Sequence, residues 1–313
     1  MTEPIDLRKV RLKPIKERRN KVSVQLFGRL PEPKGKFKEY LDSLPRILKA
    51  QDLREICYAI IDAGKNSKPV VLMMGDALIK VGLTPYIMKL IEENLVSAIA
   101  MQGAGIIHDT EIALIGETSE DVAQSITDGS FGMWKETGEF INSAIKEGVD
   151  ANLGLGEAVG KKIFDEKPPF YQYSIACFCF EKKIPLTVHV AYGTDTIHMH
   201  PSADGAIIGK ATEIDFRKFI ATVCGLEGGV VINAASAVIL PEVFLKSLAV
   251  ARNLGNKVED FVAVNIDMIQ HYRPIENVVK RPTAGKGKGY SLTGNLEILF
   301  PLLTACLIDL KEA

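Results

Sequence analysis

Aromatic side chains make up only 7% of the 313 residues, with a single tryptophan, and none interleave with the basic residues in a way that would stack nucleic-acid bases. The formal net charge is −1, so no overall field draws in polyanions or acidic substrates. No apolar stretch approaches the roughly 20 residues needed to cross a bilayer. One uncharged apolar stretch, Ile298 to Ile308, is interrupted by Pro301. The start, Met1-Thr2-Glu3-Pro4, lacks the basic-then-apolar layout of a secretory leader. Cysteine is scarce and odd in number, five in all, and the closest spacing, Cys177-x-Cys179, matches neither a zinc site nor a disulfide framework. A reducing cytoplasm is therefore the expected location, with no membrane and no nucleic acid as partner. Fixed-period repeats and low-complexity stretches are absent too. What remains is 47% hydrophobic and 25% charged, the composition of a globular domain large enough to bury a substantial core.

Basic residues crowd between Arg8 and Lys38, densest at Arg18-Arg19 and at Lys34-Gly35-Lys36-Phe37-Lys38. They set off residues 1–45 as an N-terminal arm, read either as a solvated tail or as a contact for phosphates or a neighbouring subunit. Residues 46–313 form a single domain in which apolar runs alternate with amphipathic stretches. Pro69 to Met74 is a short apolar run stopping at Gly75-Asp76, which reads as a buried strand running into a loop. Thr84-Pro85 opens a helix, and Val96 to Met101 is a second buried strand that stops at Gln102-Gly103-Ala104-Gly105. Glu117 to Lys161 reads as helical. Strands follow at Ile184–His189, Gly228–Ile232 and Phe261–Asn265, with helices over Asp215–Cys224, Pro241–Leu254 and Ile298–Lys311. Short links between strand, helix and strand signify a parallel sheet. The expected fold is α/β: a doubly wound, mostly parallel sheet of five to seven strands.

Ligands of such sheets bind beyond the carboxyl ends of the strands. Those ends carry Gly75-Asp76, Gly103-Ala104-Gly105, His189, Asn233, and Asn265 with Asp267. Glycine lets a backbone approach a ligand closely, and helix starts offer free N–H groups to phosphate. The expected ligand is a nucleotide or dinucleotide, although Gln102-Gly-Ala-Gly105 carries His108 where the third glycine of a dinucleotide fingerprint belongs. Of the five histidines, His108, His189, His198 and His200 fall at or just beyond strand ends. Imidazole titrates near neutral pH, so His198 and His200 are the candidate general bases, with Asp195 as orienter and His189 or His108 in reserve. The same histidines, completed by Asp109 or Asp195, are an alternative divalent-metal shell for a hydrolase or lyase. A third reading is a non-catalytic nucleotide-binding protein. Asp109, Asp195 and Asp267 suit a ribose hydroxyl or a cationic amine, and the Gly285-Lys-Gly-Lys-Gly289 loop offers Lys286 and Lys288 to phosphates.

Val70 to Asp109, with Ile184-Pro185, Gly228-Gly-Val-Val231, the strand ending in Asn265, Arg281-Pro282 and Leu299-Phe-Pro-Leu-Leu303, resembles deoxyhypusine synthase, colinearly over about residues 50 to 310. That family transfers an aminobutyl group from spermidine to a lysine of a translation initiation factor, with NAD as transient hydride acceptor, and is typically a homotetramer. The resemblance implies NAD as cofactor, with Asp76, Gly103, Ala104, Gly105, Asn265 and Asn295 around it. Gly228 and Gly229 of the matching glycine run, Asp109 and Asp267 complete the expected cofactor set. It also implies a homo-oligomer, a tetramer. The chain departs from the family at its chemistry. Glu227-Gly-Gly-Val-Val-Ile232-Asn places isoleucine at the family's catalytic lysine, and isoleucine forms no imine. The expectation is a divergent deoxyhypusine synthase-like enzyme performing NAD-dependent oxidation or transfer on a small polar substrate such as an amine.

Overall fold

A computed structural model describes Arg11, Pro14, Lys21, Ser23–Leu30 and Lys34–Glu312. The Arg18-Arg19 doublet and Arg8 lie outside the described residues. Six strands form one parallel sheet: β1 (Val70–Met74), β2 (Ala98–Gln102), β3 (Leu186–His189), β4 (Val230–Ala234), β5 (Val262–Asp267) and β6 (Lys288–Thr293). Their spatial order is β3-β2-β1-β4-β5-β6, that of a doubly wound dinucleotide-binding sheet, with the switch point between β1 and β4. The helices are α1 (Phe37–Ser43), α2 (Leu48–Lys65), α3 (Ala77–Lys80), α4 (Thr84–Glu92), α5 (Gly103–Ile115), α6 (Val122–Ser125), α7 (Lys135–Asp150), α8 (Leu155–Glu166), α9 (Ile175–Lys182), α10 (Gly205–Cys224), α11 (Ile239–Asn253), α12 (Tyr272–Pro274) and α13 (Leu296–Glu312).

The inner strands are apolar up to the polar residues near their carboxyl ends because helices cover both faces of the sheet. Alternate residues feed two cores. Leu72, Met74, Ile99, Met101, Ile232 and Val264 pack against α2, α4, α5 and α13, while Val71, Met73, Ala100, Val231 and Ala263 pack against α10 and α11. The sequence reading missed β6. Its Lys-Gly-Tyr-Ser-Leu-Thr lies at a sheet edge, where only Leu292 is buried, so no apolar run marks it. At the other edge β3 turns its outward groups onto side chains. Asp215 of α10 accepts from Val188 N (2.8 Å) and Thr212 donates to the Val188 carbonyl (3.1 Å), which leaves no free edge there to pair with another strand.

Two features set the scene for the site. Between β2 and β3 the chain makes a long helical excursion, α5 to α9, in which α8 and α9 pack against the edge strand β3. Phe37–Ser43, within the stretch read as arm, is the helix α1 and belongs to the packed body: Leu41 is buried, and the carbonyls of Leu41 and Leu44 accept from Arg54 (2.6 and 3.2 Å). Among the described residues no helix is long and apolar enough to cross a membrane.

Candidate functional site at the carboxyl ends of the strands

At the switch point β1 and β4 approach closely. Gly75 N donates to the Ala234 carbonyl (2.8 Å), and a Cβ on Gly75 would overlap the Ala235 carbonyl oxygen, so glycine is required there. Ala235 itself has φ +56, a left-handed backbone that alanine adopts only where its surroundings impose it. From this point a chain of polar side chains crosses the strand ends. Ser236 Oγ lies 3.4 Å from Gln102 Oε1, and Gln102 Nε2 donates to Asp76 Oδ1 (2.9 Å). Lys80 Nζ holds Asp76 Oδ2 at 2.8 Å, and His108 Nε2 stands 3.6 Å from the same oxygen.

His108 is oriented from its other side. Its Nδ1 lies 2.7 Å from Thr118 Oγ1, and the Thr118 hydroxyl donates to Glu111 in a short hydrogen bond. A hydroxyl whose proton is committed to Glu111 can only accept from His108, which places an imidazole proton on Nδ1 and turns Nε2 towards Asp76 and the strand ends. Burial alone would raise the Glu111 carboxyl, but the nearby His108 ring and the hydrogen bonds from Thr118 and Thr137 outweigh it and hold Glu111 below its ordinary value. The relay is therefore anchored on a carboxylate. Beyond it opens a cavity of about 360 Å³, lined by Glu111, Glu117, Glu120, Glu136, Thr118 and Trp134. Carboxylates beside an indole face suit an organic cation.

The histidines expected to act do not converge. His198 Nδ1 accepts from Gly193 N (3.1 Å) and Asp195 N (3.2 Å), so its proton sits on Nε2, which is buried without a partner 3.8 Å from Asp195 Oδ2. Its ring stacks on Tyr192, and burial holds its pKa below the ordinary imidazole range. His200 turns the other way, with Nε2 2.8 Å from the Gly132 carbonyl. His189 points to the α10 face, bonded to Thr187 (3.1 Å) and edge-on to Phe219, and burial pushes its pKa down to about 3. The metal shell built on these rings is thus not assembled. Among the described residues no group of three histidine, cysteine or acidic side chains is arranged to hold a metal ion.

Several expected cofactor residues also stand elsewhere. Gly228 and Gly229 precede β4 at the amino end of the sheet, where a Cβ on Gly229 would overlap the Pro69 carbonyl. Lys286, paired with Glu259 (3.0 Å), and Lys288, which opens β6, are at that same end and cannot reach a ligand at the carboxyl ends. Asp109 is on the buried face of α5, where its carboxylate accepts from Ser174 Oγ (2.5 Å), Ile175 N (2.7 Å) and Ala176 N (3.1 Å) and so caps α9. Burial raises it to about 6 against those hydrogen bonds. Asn265 is at the carboxyl end but inside a ladder: it accepts from Asn233 (2.7 Å) and donates to Gln270 (2.7 Å). Asp267 and the exposed Asn295 flank the ends of β5 and β6, at the far side of the sheet from Asp76.

Asp76, Gly103, Ala104, Gly105 and Asp195 do gather. Gly103 opens α5, and a Cβ there would overlap the Asp195 carboxylate, which receives a hydrogen bond from the Ala104 backbone. Sequence reasoning missed Glu111, Thr118, Thr137 and Trp134, although Glu111 stands three residues after His108, the spacing that puts two side chains on one helix face.

No family model matches the chain, and no curated protein matches it by sequence. Solved structures do match its fold. ArgZ, an arginine dihydrolase from the ornithine-ammonia cycle in cyanobacteria, aligns with a TM-score of 0.52 at 14% identity over 84% of this chain and 33% of its own. AgrE, solved in a ternary complex with ornithine and NAD+, gives 0.53 at 15% over 84% and 33%. The chain thus spans about a third of the length of ArgZ and AgrE. A protein of Entamoeba histolytica assigned as a deoxyhypusine synthase gives 0.51 at 12% identity over 89% of this chain and 95% of its own. At these identities the likeness establishes the fold: this chain has the deoxyhypusine synthase-like α/β architecture.

Proposed function

We propose that this chain is an NAD-using enzyme that oxidises, or transfers a group from, a small substrate bearing a cationic amine. The observation that carries the reading is His108, oriented by the Thr118–Glu111 pair with Nε2 turned to Asp76 at the strand ends, while Thr118 and Glu111 on its other side line a cavity rich in glutamate. The AgrE complex with ornithine and NAD+ supports it by fold.

The strand ends suit a dinucleotide. The start of α5 at Gly103 offers helix N–H groups where a phosphate would approach, and Asp76 is an acceptor for a hydroxyl. When bound, NAD accepts a hydride. The chain's own residues do the rest. The glutamates and Trp134 hold the cationic end, and His108 Nε2 takes the proton released as the substrate is oxidised, with its ring fixed by Thr118 and its positive charge offset by Asp76. Trapping of the amine on a lysine, as the resembling family does, has no counterpart at Ile232, which is buried in β4. Assembly as a homotetramer, sampled by light scattering, belongs to the same reading.

Calorimetric titration with NAD, followed by an amine screen with absorbance of the reduced nicotinamide as readout, tests the proposal. Micromolar binding is expected, with turnover that falls at least about a hundredfold in His108→Ala. Turnover undiminished in His108→Ala would remove the assignment of the base, and absence of NAD binding would remove the reading.

A further inference from the structure

The N-terminus of α5 is where an anionic ligand would be expected, and a side chain of the protein is already there. Asp195 comes from the loop after β3 and lays its carboxylate against Gly103, with a hydrogen bond from the Ala104 backbone. Its side chain is only 4% exposed, yet Oδ2 has no hydrogen-bond partner. The N-terminus of a helix carries unpaired N–H groups and a partial positive charge that favour an anion. We propose that Asp195 is an internal plug of this anion site, and that a phosphate-bearing ligand binds by displacing it.

The surroundings make the plug removable. Asp195 has no lysine or arginine within ion-pairing distance among the described residues. Of the charged and titratable groups facing it, Asp76 at the end of β1 repels it. His198 on its own turn lies 3.8 Å away, with Nδ1 occupied by two backbone N–H groups. Burial and the Asp76 charge oppose the ionised form, while Thr194, the Ala104 backbone and the His198 backbone of its own capping box favour it. The carboxyl is accordingly pushed up to about 6. The segment before it, Ala191 to Thr194, is exposed, and Gly193 has φ +98 with open space where a Cβ would stand. Ile197, buried in the core, anchors the far side of the turn, its carbonyl accepting from Asn142 (3.1 Å). Release of the plug thus moves the exposed half, breaking the Gly193 and Asp195 N–H bonds to His198 Nδ1 and the Tyr192–His198 stack, while the Ile197 half stays.

The sign of the pH dependence follows. Seated, Asp195 titrates near 6; released into water it titrates near the ordinary ~3.9. The seated form is favoured below about pH 4 and loses its advantage as pH rises to about 6. Anion affinity should then rise with pH, by about tenfold between about pH 5 and pH 7.5. This is opposite to the trend of a site in which a protonated histidine attracts the anion.

The test uses the full chain and two anions that carry no titrating proton in this range, NAD and inorganic sulfate, titrated into the native protein, Asp195→Ala and Asp195→Asn, with near-ultraviolet circular dichroism to establish that each variant is folded. The native protein is expected to bind both anions about tenfold more weakly at pH 5 than at pH 7.5. Asp195→Ala should bind them at least as tightly as the native protein does at pH 7.5, at either pH. Asp195→Asn, which keeps the shape but cannot ionise, should stay at the weak level throughout. Weaker NAD binding in Asp195→Ala would make Asp195 a direct ligand contact and overturn the plug, as would an unchanged pH step. The inference shares with the proposed function only the dinucleotide, and sulfate separates the two. A sulfate step abolished in Asp195→Ala, with no NAD binding in any form, would uphold the plug and sink the NAD reading. NAD binding without the step would do the reverse.

Discussion

Asp215 offers the sharpest test of how this fold is held together. Its Oδ2 accepts from Val188 N (2.8 Å) and Gly156 N (3.0 Å), tying α10 to the edge strand β3 and to the start of α8, while Oδ1 is buried without a partner. Burial pushes the carboxyl up to about 7 against those two hydrogen bonds. The native state therefore binds the proton more tightly than the unfolded chain does. The stability linked to Asp215 is fully present below about pH 4 and is lost as pH rises through about 7. For a group moving from about 3.9 to about 7, the loss between about pH 5 and pH 8 is about 3 kcal/mol. At roughly 2 °C per kcal/mol for a domain of this size, Tm should fall by about 6 °C from this residue alone. Asp215→Asn should be less stable at pH 5, by about 1–3 kcal/mol, because the second backbone N–H or the new amide lacks a good partner. Its stability should nevertheless change with pH by about 3 kcal/mol less than that of the native protein. Urea unfolding of both proteins at four pH values from 5 to 8 gives the comparison directly, and parallel pH profiles would refute the reasoning.

Gly154→Ala should destabilise by about 1–3 kcal/mol or more, read from urea unfolding, because its Cβ would overlap the Asp215 carboxylate. Gly75→Ala should cost a similar amount for a different reason: the obstacle is the Ala235 backbone, which cannot step aside as a side chain can. Lys286→Ala together with Lys288→Ala should leave NAD affinity within about twofold by calorimetry, since both lysines stand at the amino end of the sheet. In nitrogen-correlated NMR spectra, the His189 imidazole should show no titration between about pH 5 and 8, held neutral by its burial. A titrating His189 signal would mean that its contact with Phe219 opens in solution.

Much of the fold was legible because the inner strands are covered on both faces. Val70–Met74, Ala98–Gln102, Val230–Ala234 and Val262–Asp267 are runs of small and branched apolar residues that end in glycine or polar side chains, and each appears within two residues of its expected place. β6 had no such signal, since an edge strand with one buried residue looks like the basic loop that precedes it.

The candidate site was legible only in part, and the reason is directional. A parallel strand has a ligand-binding end and a blind end, and a glycine or lysine motif serves the site only if it follows the strand. Gly75-Asp76 and Gly103-Ala104-Gly105 follow β1 and β2 and do reach the crevice; Gly228-Gly229 and the Lys286–Lys288 loop precede β4 and β6 and do not. That distinction was available from the sequence, because the apolar run itself fixes which side of it a motif occupies. Whether the side chains converge was not available. His198 and His200, two residues apart, face Tyr192 and Gly132 because the chain between them is a 3-10 turn and not an extended strand. His108, Thr118, Glu111 and Trp134 are drawn together from α5, the loop after it and the start of α7 by packing across the helical excursion. Within that group, only the three-residue spacing of His108 and Glu111 on one helix was written in the sequence, and it was the one local sign that this histidine has a carboxylate beside it.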